Sequence, residues 1–509
     1  MRRCQHRGTG TSWTSIRPAR RCITSPPEAP GRLSAGDRSR ALVAAGVLFM
    51  EMFDATVLLT ALPALGETFG RSANAVGISV TLYAVAVAAI IPISGWAADR
   101  FGGRRVFVVA ILAFVLASAA CAAASTLEMF VAARLVQGAA AALMSPVARL
   151  MVLARIDRRQ TVEAIAILTW PALIAPLAGP VLGGWLVEQV SWRWIFLINI
   201  PLGLTGMLLA MRLFGHDHWL ARKRPLDAAG LVLTCGALGM LVTGLDRMGR
   251  TGDLTAISLF GLGVLTALAA LWRLRHAAFP LVDLSPLAAI TFRVGTLTAG
   301  GLARAAINAT PYLLILQFQT GWGLGPAAAG TLLMIYMAGN LAMKPLTTSL
   351  LRRFRYRDLL VVNAAVSAVL IGALAFADGT LSPPVLYLLL FAAGLSRSLN
   401  FTGTNTLTFV DMEPAHRGAA TTLASVLSQL AFSLGIAGAA LGLDLSMTAR
   451  GAALLAPIDF QHVMLGVAAV MAASAVAYRL ELDRSAGTTL SPPPRSKASA
   501  DAPDNPSAR

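Results

Sequence analysis

Apolar runs of about twenty residues recur through residues 41–480, separated by short polar turns, and this recurrence leaves the chain almost no choice of fold. In hydrocarbon every backbone N–H and C=O must be satisfied within its own segment, so such runs cross a membrane as helices. One helix per run predicts spans at 41–62, 75–97, 106–125, 129–153, 162–186, 194–214 and 227–246. It predicts further spans at 254–273, 291–316, 327–349, 358–377, 384–406, 418–443 and 461–479, about fourteen in all. Charged residues make up 13% of the 509, roughly half the share in soluble domains. The expected class is therefore an all-α integral membrane protein.

The loops give an independent check. Arginine and lysine cluster after the second span (Arg100, Arg104, Arg105), the fourth (Arg155, Arg158, Arg159) and the sixth (Arg222, Lys223, Arg224). They cluster again after the eighth (Arg273, Arg275) and the tenth (Arg352, Arg353, Arg355, Arg357). The opposite loops hold only Arg71, Arg193, Arg247, Arg250 and Arg450. By the positive-inside rule the clustered loops and both termini are cytoplasmic, which requires an even number of spans. Much of the net charge of +17 thus lies in loops and tails, and nucleic-acid binding is not the reading it supports.

Residues 1–40 are basic and hold no apolar core, so they are not a secretory signal. An organellar transit peptide, a disordered cytoplasmic tail and a start codon placed too far upstream all fit. The Ser/Pro/Ala-rich segment 481–509 is expected to be disordered. Cys4 and Cys22 fall in the tail and Cys121 and Cys235 in apolar runs, with no spacing for a metal or a disulfide framework. His216 and His218 read as a solvated loop pair rather than a metal site.

Within the first span lie two carboxylates, Glu51 and Asp54. A charge at the centre of a spanning helix costs about 2.5–3.5 kcal/mol on insertion scales, so it marks a functional site. Asp54 has about a dozen apolar-chain residues on each side and is expected to face a polar cavity and bind a proton. For Glu51, a turn nearer the basic tail, a place at the helix end within reach of headgroup water fits equally well. Arg134, inside the fourth span, needs a buried partner, and a carboxylate on the first span is the obvious one.

Several motifs carry a resemblance. Gly95-Trp-Ala-Ala-Asp99-Arg100-Phe-Gly102-Gly-Arg104-Arg105 resembles the GxLADrxGrRr loop of the major facilitator superfamily. There Gly95 would let helices approach closely, Gly102 would make a tight turn, and the loop would latch the cytoplasmic side of two bundles. Arg134-Leu-Val-Gln137-Gly138 resembles the RxxQG motif, though alanines follow where the superfamily usually has more glycines. Ala175-Pro176-Leu-Ala-Gly179-Pro180-Val-Leu-Gly183-Gly184 resembles the antiporter motif GPxxGPxxGG, with alanine for the first glycine. Prolines and glycines make such a seam bendable and tightly packed. Trp192-Arg-Trp194-Ile-Phe196-Leu-Ile-Asn199-Ile-Pro201-Leu-Gly203 and Phe49-Met-Glu51-Met-Phe53-Asp54-Ala-Thr56-Val57 are similar to signatures of the fourteen-span drug:proton antiporter branch.

The resemblance covers about 41–480 and implies a major facilitator fold. Its parts are a bundle at 41–214, a linker with two extra helices at 215–280 and a second bundle at 281–480. The bundles are expected to rock about a midplane site. The second bundle has its own polar set: Arg304 and Gln317 on the ninth span, Asn340 and Lys344 on the tenth, Arg397 and Asn405 on the twelfth, and Gln429 on the thirteenth. With Gln137 these are the candidates for the substrate cavity. Asp227 reads as a helix N-terminal anion.

The implied activity is proton-coupled export of amphipathic organic compounds, not an enzymatic reaction, with Asp54, Glu51 and Arg134 in proton coupling. A proton gradient takes the place of a cofactor. The expected setting is a bacterial inner membrane, the partners being a small-molecule substrate, the bilayer and a membrane-fusion adaptor, with the chain itself monomeric. A dedicated exporter of one amino acid, sugar or siderophore, and a proton-coupled importer, stay open as alternatives. No nucleophile–base pair or phosphate loop supports an enzyme on this scaffold.

Overall fold

The structure, a computed structural model, describes residues 33–483 apart from 155, 157–159, 216–224, 251–252, 414–415 and 453. Most of both tails, the basic clusters at 155–159 and 222–224, and His216 and His218 therefore lie outside the described residues. Among the described residues all regular structure is helical.

The membrane helices are α1 (Ala35–Phe69), α2 (Ala73–Ile90), α3 (Gly103–Ala123), α4 (Leu127–Leu153), α5 (Glu163–Gln189), α6 (Trp194–Leu213), α7 (Ala228–Met248) and α8 (Leu254–His276). There follow α9 (Ala299–Leu316), α10 (Pro326–Thr347), α11 (Tyr356–Ala375), α12 (Pro383–Val410), α13 (Arg417–Ala449) and α14 (Pro457–Glu481). Thirteen are long and apolar enough to cross a membrane. The other is α9, whose 18 residues include Arg304, Asn308 and Pro311 and so read as less apolar than they pack.

Several boundaries differ from the sequence expectation. The first helix starts at Ala35, where Ser34 accepts the Asp37 N–H as an N-cap, so residues 35–40 are helix and not tail. The second expected span breaks near Pro92, after which Ile93–Phe101 continues as a separate short helix. The ninth breaks at Leu297 and Thr298, between Ile290–Thr296 and α9.

Helices α1–α6 pack on one another, as do α9–α14. The two halves meet where α5 lies along α10 and α2 along α13. The inserted pair α7 and α8 packs together, and α7 seats Leu238 and Val242 against Leu82 and Val85 of α2, beside Leu430 of α13. Helix α8 turns most of its surface outward, as a helix bathed in lipid does: Leu254, Leu265 and Trp272 are exposed. Asp227 accepts the Gly230 N–H and pairs with Arg273 of α8, the N-terminal anion role expected of it.

Hydrogen bonds join the halves at the face away from the clustered arginines. Asn74 donates to the Asp444 carboxylate (2.7 Å) and to the Ala440 carbonyl (3.0 Å), and accepts from the Tyr312 hydroxyl (2.7 Å). Nearby, Gln319 donates to the Thr60 carbonyl and the Ala327 N–H donates to Glu188, both at 3.0 Å.

Two glycines set contrasting expectations. A Cβ on Gly138 would sit 2.4 Å from the Tyr83 carbonyl oxygen, so the α2–α4 contact has no room for it. A Cβ on Gly95 would meet nothing within 4 Å. Gly138→Ala should destabilise the protein by about 1–3 kcal/mol, while Gly95→Ala should leave it unchanged. Thermal unfolding of the two purified variants in detergent checks this.

Candidate functional site

Asp54 lies at the middle of α1 with no accessible surface, and Arg134 of α4 is only 1% exposed. The Arg134 guanidinium donates to Asp54 Oδ2 at 2.6 Å, the pairing expected from the sequence. Gln137, one helical turn beyond Arg134 and therefore on the same face, donates to Asp54 Oδ1 at 3.0 Å. Asn199 of α6 donates to the same oxygen at 2.8 Å. Two helices thus deliver charge and donors to one carboxylate on a third.

The surroundings complete this arrangement. Gln137 also donates to Ser118 of α3 (2.8 Å), and its side-chain oxygen receives a second bond from Arg134 (2.5 Å). The guanidinium stacks 4.2 Å from the Tyr83 ring of α2, a cation–π contact that is stronger without water. A buried pair is tolerated only when its remaining donors and acceptors are met, and these partners meet most of them. Arg134 Nε and Asn199 Oδ1 are the buried atoms here that have no partner.

Glu51 does not join this cluster. One turn away on α1, it is buried and accepts a 2.7 Å bond from Ser145 of α4. Two carboxylates on one helix therefore have separate partners on a second helix.

The antiporter-like stretch of α5 forms the seam expected of it. Gly179 and Gly183 leave room for Thr56 and Thr60 of α1: a Cβ on either would lie 2.4 and 2.5 Å from those hydroxyls. Gly184 lies against Pro326 of α10, and the Pro180 carbonyl against Gly330 of the same helix. Pro176 lies a turn before, on the same helix. This stretch is where α5 touches both α1 and the opposite half.

The loop after α2 fits its expectation less well. Gly102 has φ +89°, a turn only glycine takes easily. Gly95, expected to allow close helix approach, is exposed with open space before it, because the short helix after Pro92 packs through Ser94, Ala97 and Ala98 and leaves Gly95 on its outer face. Asp99, Arg100 and Arg105 are exposed, and Arg104 donates to the Met211 carbonyl of α6 (2.5 Å), within the same half.

The remaining candidates are dispersed. Gln137 belongs to the Asp54 cluster. Arg304 is buried, donating to Ser428 (2.7 Å) and the Gly295 carbonyl (3.3 Å). Gln317 is buried and donates to the Ala377 carbonyl (3.2 Å). Asn340 and Gln429 are half-buried. Lys344 and Asn405 line one cavity together with Phe401 and Arg417. Arg397 donates to the Ile307 carbonyl (3.3 Å). Ser118, Tyr83 and Asn199 are the site residues that sequence reasoning missed. Asn199 was legible in its signature; Ser118 and Tyr83 look like ordinary apolar-helix residues.

The Major Facilitator Superfamily profile matches residues 44–436, and the chain belongs to that family. HsrA of Haemophilus influenzae, a transport protein by name, is 34% identical over 430 residues, 84% of this chain and 92% of its own. MdtD of Serratia proteamaculans, a multidrug resistance protein by name, is 35% identical over 400 residues, 76% of this chain and 81% of its own. These relatives bear out the drug:proton antiporter branch read from the motifs. A D-xylose-proton symporter structure superposes with a TM-score of 0.62 at 15% identity, covering 88% of this chain and 99% of that one. That likeness shows the fold alone, while membership of the family makes the chain a transporter rather than an enzyme.

Removing one member of the cluster should cost more than its size suggests. Arg134→Gln strands a buried carboxylate and should destabilise by about 3–5 kcal/mol. Asn199→Leu removes one of two amide donors to Asp54 Oδ1 and should cost about 1–3 kcal/mol. Unfolding midpoints in detergent should fall in that order.

Proposed function

We propose that this protein is a proton-coupled exporter of amphipathic organic compounds, exchanging inward proton flow for outward transport by alternating access. The observation that carries the reading is the sealed Asp54 carboxylate, held by Arg134 and by amides from two helices. A carboxylate in that position costs too much to be kept for packing alone. Multidrug resistance in the names of the MdtD relatives favours organic compounds as cargo.

The basic face is the cytoplasmic face of an inner membrane, with both termini on that side. The halves are hydrogen-bonded at the opposite face, which we read as the inward-facing conformation, with Asp54 paired to Arg134. Rocking about the α5 seam brings Asp54 to the outer side, where a proton neutralises it and Arg134 loses its counter-charge. The return delivers the proton inward, and substrate leaves on the opposite stroke. Each elementary charge crossing 100 mV supplies about 2.3 kcal/mol for the exchange. Protonation weakens the pair from both sides, since a neutral acid accepts less strongly and donates a bond of its own.

Reconstitution in liposomes with an imposed proton gradient and an internal pH dye tests the reading. Lipophilic cations, anions and neutral compounds should each be tried. Substrate-dependent proton flux is expected in wild type and should vanish in Asp54→Asn. Full flux in that variant would remove Asp54 from the coupling step.

A further inference from the structure

The two halves carry the same side-chain cluster twice, and the copies differ in charge at one position. In the first half Arg134, on the fourth helix, bonds Asp54 on the first and lies over Tyr83 on the second. In the second half Arg397, on the fourth helix α12, reaches Asn308 on the first helix α9 (3.5 Å) and lies over Tyr336 on the second, α10 (5.9 Å). Three residues beyond each arginine an amide donates to a serine on the third helix. Gln137 donates to Ser118 at 2.8 Å and Asn400 donates to Ser367 at 2.6 Å. The arginine, the ring, the amide and the serine are all repeated. The carboxylate is not: where the first half has Asp54, the second has Asn308.

Among the described residues Arg397 is left a cation without a counter-ion. Its remaining contacts are the Ile307 carbonyl (3.3 Å) and the Met337 sulfur (3.7 Å), both weak partners for a guanidinium. Lys344, on the same helix as Tyr336, is close enough to interact electrostatically with Arg397, and it too bonds a neutral group, the Thr402 hydroxyl (3.1 Å). Unlike Arg134, both are only half-buried, and Arg397 borders a narrow cleft beside Tyr336 and Ser367. Lys344 also lines a separate cavity of about 540 Å³ with Phe401, Asn405 and Arg417, a size that suits the body of a drug-like molecule.

We infer that the substrate supplies the missing negative charge: the second half binds an amphipathic organic anion, its carboxylate drawn to Arg397 while Lys344 adds attraction at longer range. An arginine presents a planar fork that matches a carboxylate, and a lysine nearby adds attraction without demanding geometry. The inference names a substrate class for the proposed exporter and rests on that reading for transport only, since binding does not require it.

The test uses the full chain in phosphatidylcholine nanodiscs, which keep anionic lipid out of the site. Three pyrene probes of one skeleton are compared by fluorescence: pyrenebutyrate, its uncharged amide and a pyrenebutyl-trimethylammonium cation. Wild type should bind pyrenebutyrate at least about tenfold more tightly than the amide. Arg397→Gln should abolish that preference. Asn308→Asp should do the same, because it gives Arg397 an internal partner like that of Arg134. Retained binding of the amide and an unchanged unfolding midpoint show that each variant is folded. Should Arg397→Gln fail to fold, Asn308→Asp decides alone. No preference in wild type, or a preference that survives in a folded variant, overturns the inference. Proton-coupled export of the cation with no anion preference would keep the exporter reading and sink this one. Anion preference without proton coupling would do the reverse.

Discussion

The structure depends on one ion pair held without water. Asp54 and Arg134 each cost several kcal/mol to bury alone, and together they are tolerable only because their other valences are also met. Gln137, Asn199 and Ser118 meet those valences, and the Tyr83 ring covers the guanidinium. The consequence is mechanical. Three helices share the pair and its amide donors, so a change in its charge acts on α1, α4 and α6 together. A proton on Asp54 is small, but it acts where all three helices meet.

What lets such a change become movement is the poverty of side chains along α5. Gly179 and Gly183 bring α1 within backbone reach, and Gly184 and Gly330 bring α5 and α10 equally close. Smooth surfaces slide at lower cost than interlocked ones, and the prolines of α5 weaken its own ladder. The bonds from Asn74 to Asp444 and from Gln319 to Thr60 close the face opposite the arginines. The α7 helix spans α2 and α13, so it bridges the halves without sealing either face.

Much of this was legible in the sequence because the bilayer allows so few solutions. Run length placed the helices, and the arginine clusters placed the loops. The partnership of Asp54 with Arg134 followed from the cost of leaving either alone. Other features depended on information the residues do not carry singly. Gly95 reads as a packing glycine, yet it falls on the outer face of its short helix, whose buried face is Ser94, Ala97 and Ala98. Arg304 and Arg397 look alike in sequence, but one is enclosed by Ser428 and Gly295 while the other is half-open beside Asn308. The repeat of the arginine cluster shows only when α9 and α12 are seen together, since Asn308 alone carries no signal. Helix α9 itself is polar in sequence and deeply packed in the fold, so hydropathy under-reads it.

The most direct measurement of the central claim is infrared difference spectroscopy of the reconstituted protein as pH is lowered. The account predicts a band from a buried protonated carboxyl group that is absent in Asp54→Asn and retained in Glu51→Gln. A band unchanged in Asp54→Asn would contradict it, because the proton would then reside elsewhere and the sealed pair would be structural.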